Sequence, residues 1–247
     1  MVNIPICIMC RACNEEIKQK SMMLLPYAYN YMAKQQFVKR CVIISPDQDI
    51  LDYAIQLGFE HTFMEPCKHF GQCISEMNGV LHFLLSSPNK YDWFILFNID
   101  QPFKDPNLLY NVIRAINDNY DIVASASYMK DRSRLFISED NRFITPVDNA
   151  QRMIDYCPTV KFVDSSVLAV KTSFFFNCCV DGEDSIISQA DFYQNFWAGK
   201  FFAVTNDMMF IQILSTKSVG RFKTVNDIYQ EVEAMKNETT EKEKGKD

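Results

Sequence analysis

The stretch ICIMCRACNEEIKQK, Ile6 to Lys20, sets how the rest of the chain is read. Its apolar start has the length and composition of a strand. Arg11 opens a short polar loop, and the residues from Glu15 onward suit a helix. Strand, loop, helix is the opening unit of many α/β proteins that handle nucleotides. Such loops usually carry glycines, which let the backbone approach phosphate closely, together with positive charge. This one carries Glu15 and Glu16, and the first glycine in the chain is Gly58.

Working outward, apolar strands and amphipathic helices alternate. Asn3–Cys10 and Val38–Ser45 read as the first two strands. Asp47 is placed to cap a helix with the stripe Ile50, Leu51, Ala54 and Ile55, which Gly58 ends. His61–Met64 reads as a strand and Ile74–Leu85 as a helix with Met77, Val80, Leu81 and Leu84 on one side. Asp92–Asn98 is a near-continuous apolar run, as expected of a central strand covered on both faces. After it, Asp105 caps a helix with Pro106 in its first position, burying Leu108, Leu109, Val112, Ile113 and Ile116. Asp121–Ser127, Lys161–Lys171, Phe201–Thr205 and Met208–Leu214 read as strands, Asp184–Ala198 and Val225–Met235 as helices, and 128–160 as loop-rich. The pattern predicts an α/β fold: a mostly parallel central sheet flanked by helices, a Rossmann-like three-layer sandwich. Residues 1–236 form a single domain in this reading, and the charged stretch 237–247 is a disordered tail.

Composition narrows the function classes. With 48% hydrophobic and 13% aromatic residues the chain buries a dense core rather than remaining disordered. A formal net charge of −6 argues against a general nucleic-acid binder, though a few local cations suffice for a small anion. No basic start followed by an apolar run marks a signal peptide, and no apolar stretch is long enough for a bilayer, so the expectation is a soluble, cytoplasmic protein without a membrane partner. Nine cysteines fit no disulfide framework in a chain of this size. Cys7, Cys10 and Cys13 have metal-like spacing, but Cys7 and Cys10 on one strand face opposite sides, and buried free thiols are the expectation. His61 and His82 read as structural, and His69 falls in a loop that a ligand could reach.

In open α/β sheets ligands bind beyond the carboxyl ends of the strands. Three segments qualify: the Arg11 loop, Asp100 after the central strand, and 221–228. Asp100 would hold a carboxylate rigidly at the crevice, where it suits Mg²⁺, which takes one or two carboxylates plus phosphate oxygens. Alternatively Asp100 only caps the turn before Pro102.

These residues carry a resemblance. The segment CVIISPDQDILDYAIQLGFEHTFMEP, 41–66, resembles the second strand and helix of the cytidylyltransferases that activate acidic sugars, the acylneuraminate and 3-deoxy-manno-octulosonate enzymes. Asn98–Phe103 is similar to the G-D-E-P-F of the octulosonate branch. Gln151-Arg152 with VDSSVLAVK is similar to the sugar-side segment, and FKTVNDI, Phe222–Ile228, resembles I-D-T-x-x-D-[FL]. The resemblance implies a nucleotide-diphospho-sugar transferase-like fold and an Mg²⁺-dependent reaction. In it the anomeric hydroxyl of an acidic sugar attacks the α-phosphorus of CTP, forming a CMP-sugar and releasing pyrophosphate. It further implies Arg11 and Lys20 as catalytic residues and Arg11, Ala12, Asn14, Lys20 and Ser21 as the nucleotide site. Gln101, Arg152 and Asp164 would serve the sugar, Asp100 and Asp227 the metal, and the chain would be a homodimer through the segment near 140–180.

The departures are as specific as the matches. Against the family's R-x-G-S-K loop followed by K-N, Arg11 and Lys20 are kept, Ser21 replaces Asn, and Glu15 stands where the phosphate-binding Lys belongs. Lys223 replaces the first metal aspartate, leaving Asp227, which a helix cap would also explain. Two other readings therefore stand beside the transferase. One is a catalytically silent relative that binds a sugar or nucleotide or serves as a partner subunit. The other is a glycosyltransferase of the related nucleotide-sugar fold with Mn²⁺ on Asp100, which usually wants D-x-D, where this chain has Asn98.

Overall fold

A computed structural model describes residues 4–66, 77–102, 104–128, 135–137, 143–146, 161–179, 195–196 and 198–206, all within one compact unit, Met1–Gln212. In chain order the elements are β1 (Ile6–Met9), α1 (Glu15–Lys34), β2 (Cys41–Ser45), α2 (Gln48–Leu57), β3 (His61–Met64), α3 (Met77–Ser86) and β4 (Trp93–Phe97). They continue with α4 (Leu108–Ala115), β5 (Ile122–Tyr128), β6 (Leu135–Ile137), β7 (Phe143–Pro146), β8 (Lys161–Lys171), α5 (Thr172–Cys179) and β9 (Phe201–Thr205).

The strands form one sheet with the order β3-β2-β1-β4-β8-β5-β9, and the β6–β7 hairpin attaches through β6 to β8. β3, β2, β1 and β4 run parallel to one another, as β5 does to β9, while β8 lies antiparallel between β4 and β5. The expected α/β class and mostly parallel sheet are therefore observed along the main strand order, with β8 inserted antiparallel and the β6–β7 hairpin antiparallel beside it.

Period-2 alternation explains why helices cover both faces. Cys7, Val42, Ile44, Phe94 and Leu96 join one buried cluster with Val80, Leu81 and Leu84 of α3 and Phe175 of α5. Ile6, Ile8, Ile43 and Ile95, of the opposite parity, are also fully buried. All five residues of β4 are buried, which accounts for its unbroken apolar run. Gly79 lets α3 settle on this sheet: a Cβ there would stand 2.6 Å from Met9 Cε and 2.9 Å from Ile44 Cγ2. On the other side of the site, Tyr31 joins α1 to α4. Its hydroxyl donates to the Asp105 carbonyl at 2.9 Å and accepts from the Leu109 amide at 3.3 Å, while burial pushes the phenol up to about 12.

Several boundaries differ from expectation. Residues Val38–Arg40 form a 3₁₀ turn, so β2 starts at Cys41. Ile55 is exposed rather than part of the α2 stripe, and Ile113 and Ile116 are only half-buried. Asp105 does organise the start of α4, accepting from the Asn107 amide at 2.7 Å, but Pro106 sits in the preceding turn and the helix begins at Leu108. The stretch 128–160 contains β6 and β7, and α5 was not anticipated. Its TSFFFNCC sequence has poor intrinsic helix formers and is held by packing, with Phe175 against Phe94 at 5.0 Å between ring centres. The expected strand 208–214, helix 225–235, most of helix 184–198 and the tail 237–247 lie outside the described residues. Among the described residues no helix is long and apolar enough to cross a membrane.

Candidate active site

The chain leaves β1 toward β2 and β3 on one side and returns to β4 on the other. This reversal makes the carboxyl ends of β1 and β4 the topological switch point, the place where open α/β sheets bind their ligands. Two turns meet there, one carrying Arg11 to Asn14 and the other Asn98 to Lys104.

The first turn is built around Asn14. Its backbone is extended and its side-chain oxygen accepts from the Ile17 amide at 2.9 Å, capping α1. Glu15 and Glu16 follow in the first helical turn, where carboxylates complement the helix dipole. Glu15 is exposed, and Gln19 one turn on donates to it at 3.1 Å. Ser21 is buried and donates to the Arg11 carbonyl at 2.8 Å, so its hydroxyl fixes the loop backbone. Ala12 is half-buried and Arg11 exposed.

The second turn is braced from several directions. The Asn98 side chain accepts from the Asp100 amide at 2.9 Å, and the Asn98 amide donates to the Ser166 carbonyl at 3.1 Å. Lys104 is buried, with its ammonium donating to the Asn98 carbonyl at 2.7 Å and to the Gln101 carbonyl, and standing 3.9 Å from the centre of the Phe97 ring. The Gln101 side chain is buried too and accepts from the Ser166 hydroxyl. Next to it Ser165 holds φ at +55°, where the β5–β8 register shifts, a distortion of the kind that re-aims side chains beside a site. Asp164 precedes it in β8.

Across the crevice the two turns meet. Lys20 Nζ lies 2.9 Å from Asp100 Oδ2, with side-chain exposures of 11% and 25%. Residues 80 positions apart in sequence thus form an ion pair of low exposure at the switch point. Cys10 sits beneath it, fully buried; burial pushes its thiol well above the usual range and the Asp100 charge adds to the effect. Neighbouring charges are also matched. Lys18 joins α1 to the start of α2 through Asp47 at 3.0 Å and Asp49. Glu65, just after β3, has its carboxyl raised by burial and partly drawn back by Arg11.

The structure therefore brings Arg11, Ala12, Asn14, Lys20, Ser21, Asp100 and Gln101 to one end of the sheet. Arg152 and Asp227, with Lys223 and His69, lie outside the described residues. Sequence reasoning missed Lys104 and Ser166. Lys104 is a lysine seven residues past the end of β4, a position that reads as solvated until the turn is seen to fold over it. Cys7, Cys10 and Cys41 are buried free thiols, whereas Cys13 is disulfide-bonded, correcting the free-thiol expectation for that exposed loop residue. Among the described residues no cluster of three or more acidic, histidine or cysteine side chains could hold a metal by itself. A cation shared between Asp100 and a phosphate ligand is what this donor set fits, since Mg²⁺ commonly relies on one protein carboxylate and phosphate oxygens.

Comparison with solved structures agrees with this architecture. CMP:2-keto-3-deoxy-manno-octonic acid synthetase complexed with CTP aligns with a TM-score of 0.63 at 11% identity, covering 95% of this chain and 99% of that one. The 4-diphosphocytidyl-2C-methyl-D-erythritol synthase of Anaerococcus prevotii aligns at 0.53 and 13% identity over 95% and 99% of the two chains. The bifunctional IspDF of Campylobacter jejuni aligns at 0.53 and 11%, covering 89% of this chain and 54% of that one. No family model and no curated protein matches the sequence. At these identities the likeness is one of fold: this chain has the nucleotide-diphospho-sugar transferase-like fold of the cytidylyltransferases.

Proposed function

We propose that the protein is a nucleotidyltransferase that transfers CMP from CTP to an acidic sugar, releasing pyrophosphate. The observation that carries the reading is the Lys20–Asp100 pair at the switch point, a cation and a carboxylate 2.9 Å apart and both of low exposure. A reaction at phosphorus needs positive charge on the transferring group and a fixed place for its counter-cation. Lys20, on a flexible four-carbon stem, turns from Asp100 to the phosphates. Arg11 is exposed at the loop end and reaches the same ligand, while Ser21 holds the Arg11 backbone in place. Asn14 keeps its oxygen for the helix cap and offers its amide hydrogens. Bound at Asp100, Mg²⁺ would offset charge on the phosphate oxygens. The sugar hydroxyl forms the new bond to the α-phosphorus as the bond to the pyrophosphate oxygen breaks, and its proton is lost to solvent. The sugar's identity, with Arg152 and Asp164 as its partners, Asp227 as a second metal ligand and a homodimer as the assembled form, belongs to the same reading.

A specific observation favours a second reading. Glu15 and Glu16 already complement the α1 dipole, and the loop has no glycine to approach a triphosphate. A unit charge near 4 Å is worth about 4 kcal/mol at an effective dielectric near 20. A catalytically silent relative that binds a sugar or nucleotide, or acts as a partner subunit, would keep this fold with such a loop. Calorimetric titration of CTP, with and without Mg²⁺ and against ATP, GTP and UTP, tests the nucleotide site, and pyrophosphate release from CTP with acidic sugars separates turnover from silent binding. The expected outcome is Mg²⁺-dependent binding of CTP that Asp100→Ala abolishes. No binding of any nucleotide at millimolar concentration would sink the transferase and leave the silent relative.

A further inference from the structure

Ser165 is strained where nothing local asks for it. Among the described residues two that are not glycine have positive φ, Gln36 at +60° and Ser165 at +55°. Gln36 follows a helix, where a left-handed residue is common. Ser165 lies inside β8, where a left-handed backbone interrupts the strand and serine lacks the freedom of glycine. The pairing shows what the distortion does. Ala124 of β5 pairs with Leu168 and Ala126 with Val163, so Ser125 alone stands opposite the four residues 164–167. β8 therefore bulges by three residues beside the carboxyl end of β4, where Phe97 pairs with Val167. The bulge is held from both sides. Its Val167 amide donates to the buried Ser125 hydroxyl at 2.9 Å. The Ser166 carbonyl accepts from the Asn98 amide at 3.1 Å, and the Ser166 hydroxyl donates to the Gln101 side chain. Ser166 and Gln101 are both buried, which shields their contact from water. Asp100 lies between the two residues that β8 grips.

We propose that Ser165 is a positioning residue for the switch point: its left-handed backbone forms the bulge that turns Ser166 toward Asn98 and Gln101, and the gripped turn holds Asp100 opposite Lys20. This deepens the proposed function, because it rests on reading the switch point as the site. Successive side chains of a regular strand alternate between faces. An extended Ser165 would straighten β8 and turn Ser166 away from the turn. The Asn98 amide and the Gln101 side chain would then lose the contacts that tie them to the sheet, and the Lys20–Asp100 distance of 2.9 Å would no longer be set from the β8 side. Backbone strain of this kind persists where surrounding contacts over-determine it, and it concentrates at functional sites. Here those contacts are named, and all of them lead to the Asp100 turn.

The test uses the full chain without nucleotide, so failure of the positioning and failure of CTP recognition are read separately. Wild type, Ser165→Gly and Ser165→Val are compared by amide hydrogen exchange and by ¹⁵N magnetic resonance of the Lys20 ammonium. Glycine takes a positive φ freely, whereas a β-branched residue there is a genuine outlier. The expectation is that Ser165→Gly matches wild type in both readouts. In Ser165→Val the Asn98 and Asp100 amides exchange at least about tenfold faster while β1 stays slow, and the Lys20 ammonium signal shifts or broadens as its partner moves. A residue that only stabilised the fold would lower the melting temperature and leave the Lys20 signal where it is. Should Ser165→Val fail to fold by circular dichroism, Ser166→Ala takes its place. It keeps the bulge but removes the hydroxyl on Gln101, and it should speed exchange at Asp100 with Asn98 unchanged. Unaltered exchange and an unaltered Lys20 signal in the variant that folds overturn the proposal. So does a Ser165→Gly chain that loosens as far as Ser165→Val, since the serine side chain and not the backbone would then hold the turn.

Discussion

Glu65 shows how one residue records the crevice's charge balance. It follows β3, its amide donates to the Ser45 carbonyl at 2.9 Å, and its carboxylate packs toward α3, where a Cβ on Gly79 would stand 3.2 Å from Oε2. Burial raises its pKa and Arg11 only partly offsets the rise. In the unfolded chain the group ionises near its ordinary value of about 4.3, and in the folded chain only at higher pH. Its stabilising protonated form is therefore fully retained below the ordinary value, and that stability is lost as pH rises through the folded pKa. Glu65→Gln has no proton to lose. Melting temperatures of the two proteins should run in parallel in acid and separate above the ordinary carboxylate range, with the variant the higher. A gap that stays constant with pH, or opens the other way, would show that Arg11 outweighs burial. In sequence, Glu65 was merely a residue ahead of Pro66; its setting depends on α3 packing beside it.

Two helices end in the same way with different residues, which shows what was legible at the level of elements. α2 ends at Gly58, with φ +105° and its amide donating to the Ile55 carbonyl at 2.9 Å, and the glycine marked that end in the sequence. α1 ends in the matching left-handed turn at Gln36, with φ +60°. There the Phe37 amide donates to the Met32 carbonyl at 2.9 Å and the Gln36 amide to the Ala33 carbonyl at 3.1 Å, as in a Schellman cap. No glycine announced it. Strand ends were similarly uneven. β4 ends where its apolar run does, but Val38–Arg40, which read as the start of β2, folds as a 3₁₀ turn. Gln36 is exposed, so Gln36→Gly loses no packing while relieving the left-handed conformation, and it should stabilise the fold by about 1 kcal/mol. Gly58→Ala should lower stability by about 1–2 kcal/mol, since its Cβ meets both the strained φ and Tyr29 Oη at 2.7 Å. Chemical denaturation of both variants checks the pair. A destabilised Gln36→Gly would mean that the exposed glutamine makes contacts worth more than the backbone strain.

At the scale of the whole molecule, the parallel sheet was legible because its strands are buried on both faces and read as unbroken apolar runs. The placing of β8 was not. Lys161–Lys171 was recognisable as a strand, yet nothing local to it specifies an antiparallel slot between β4 and β5, which long-range pairing sets. The site divided along the same line. Arg11 and Asp100 stood out as residues at strand ends, while the Lys20–Asp100 contact depends on β1 and β4 being neighbours across the switch point. This architecture puts the candidate site on the most enclosed part of the sheet. Ile6–Ile8 and the five residues of β4 are buried beneath helices, whereas β3 is partly to fully exposed along its length at the end of the described strand order. Local opening costs least where few apolar contacts must be broken. Native-state hydrogen exchange should therefore be slowest at the amides of β1 and β4 and faster in β3 by at least about 100-fold. The Asp100 amide, held by the Asn98 side chain and the turn braced by Lys104, should follow β4 rather than the loops. Lys104→Met should move it to loop-like exchange while leaving β4 slow, because the substitution removes the ammonium that gathers the turn's carbonyls but keeps most of the side chain's apolar stem. Exchange at Asp100 that is already as fast as in β3 in the wild type would show that the Asn98 and Lys104 contacts do not hold the turn.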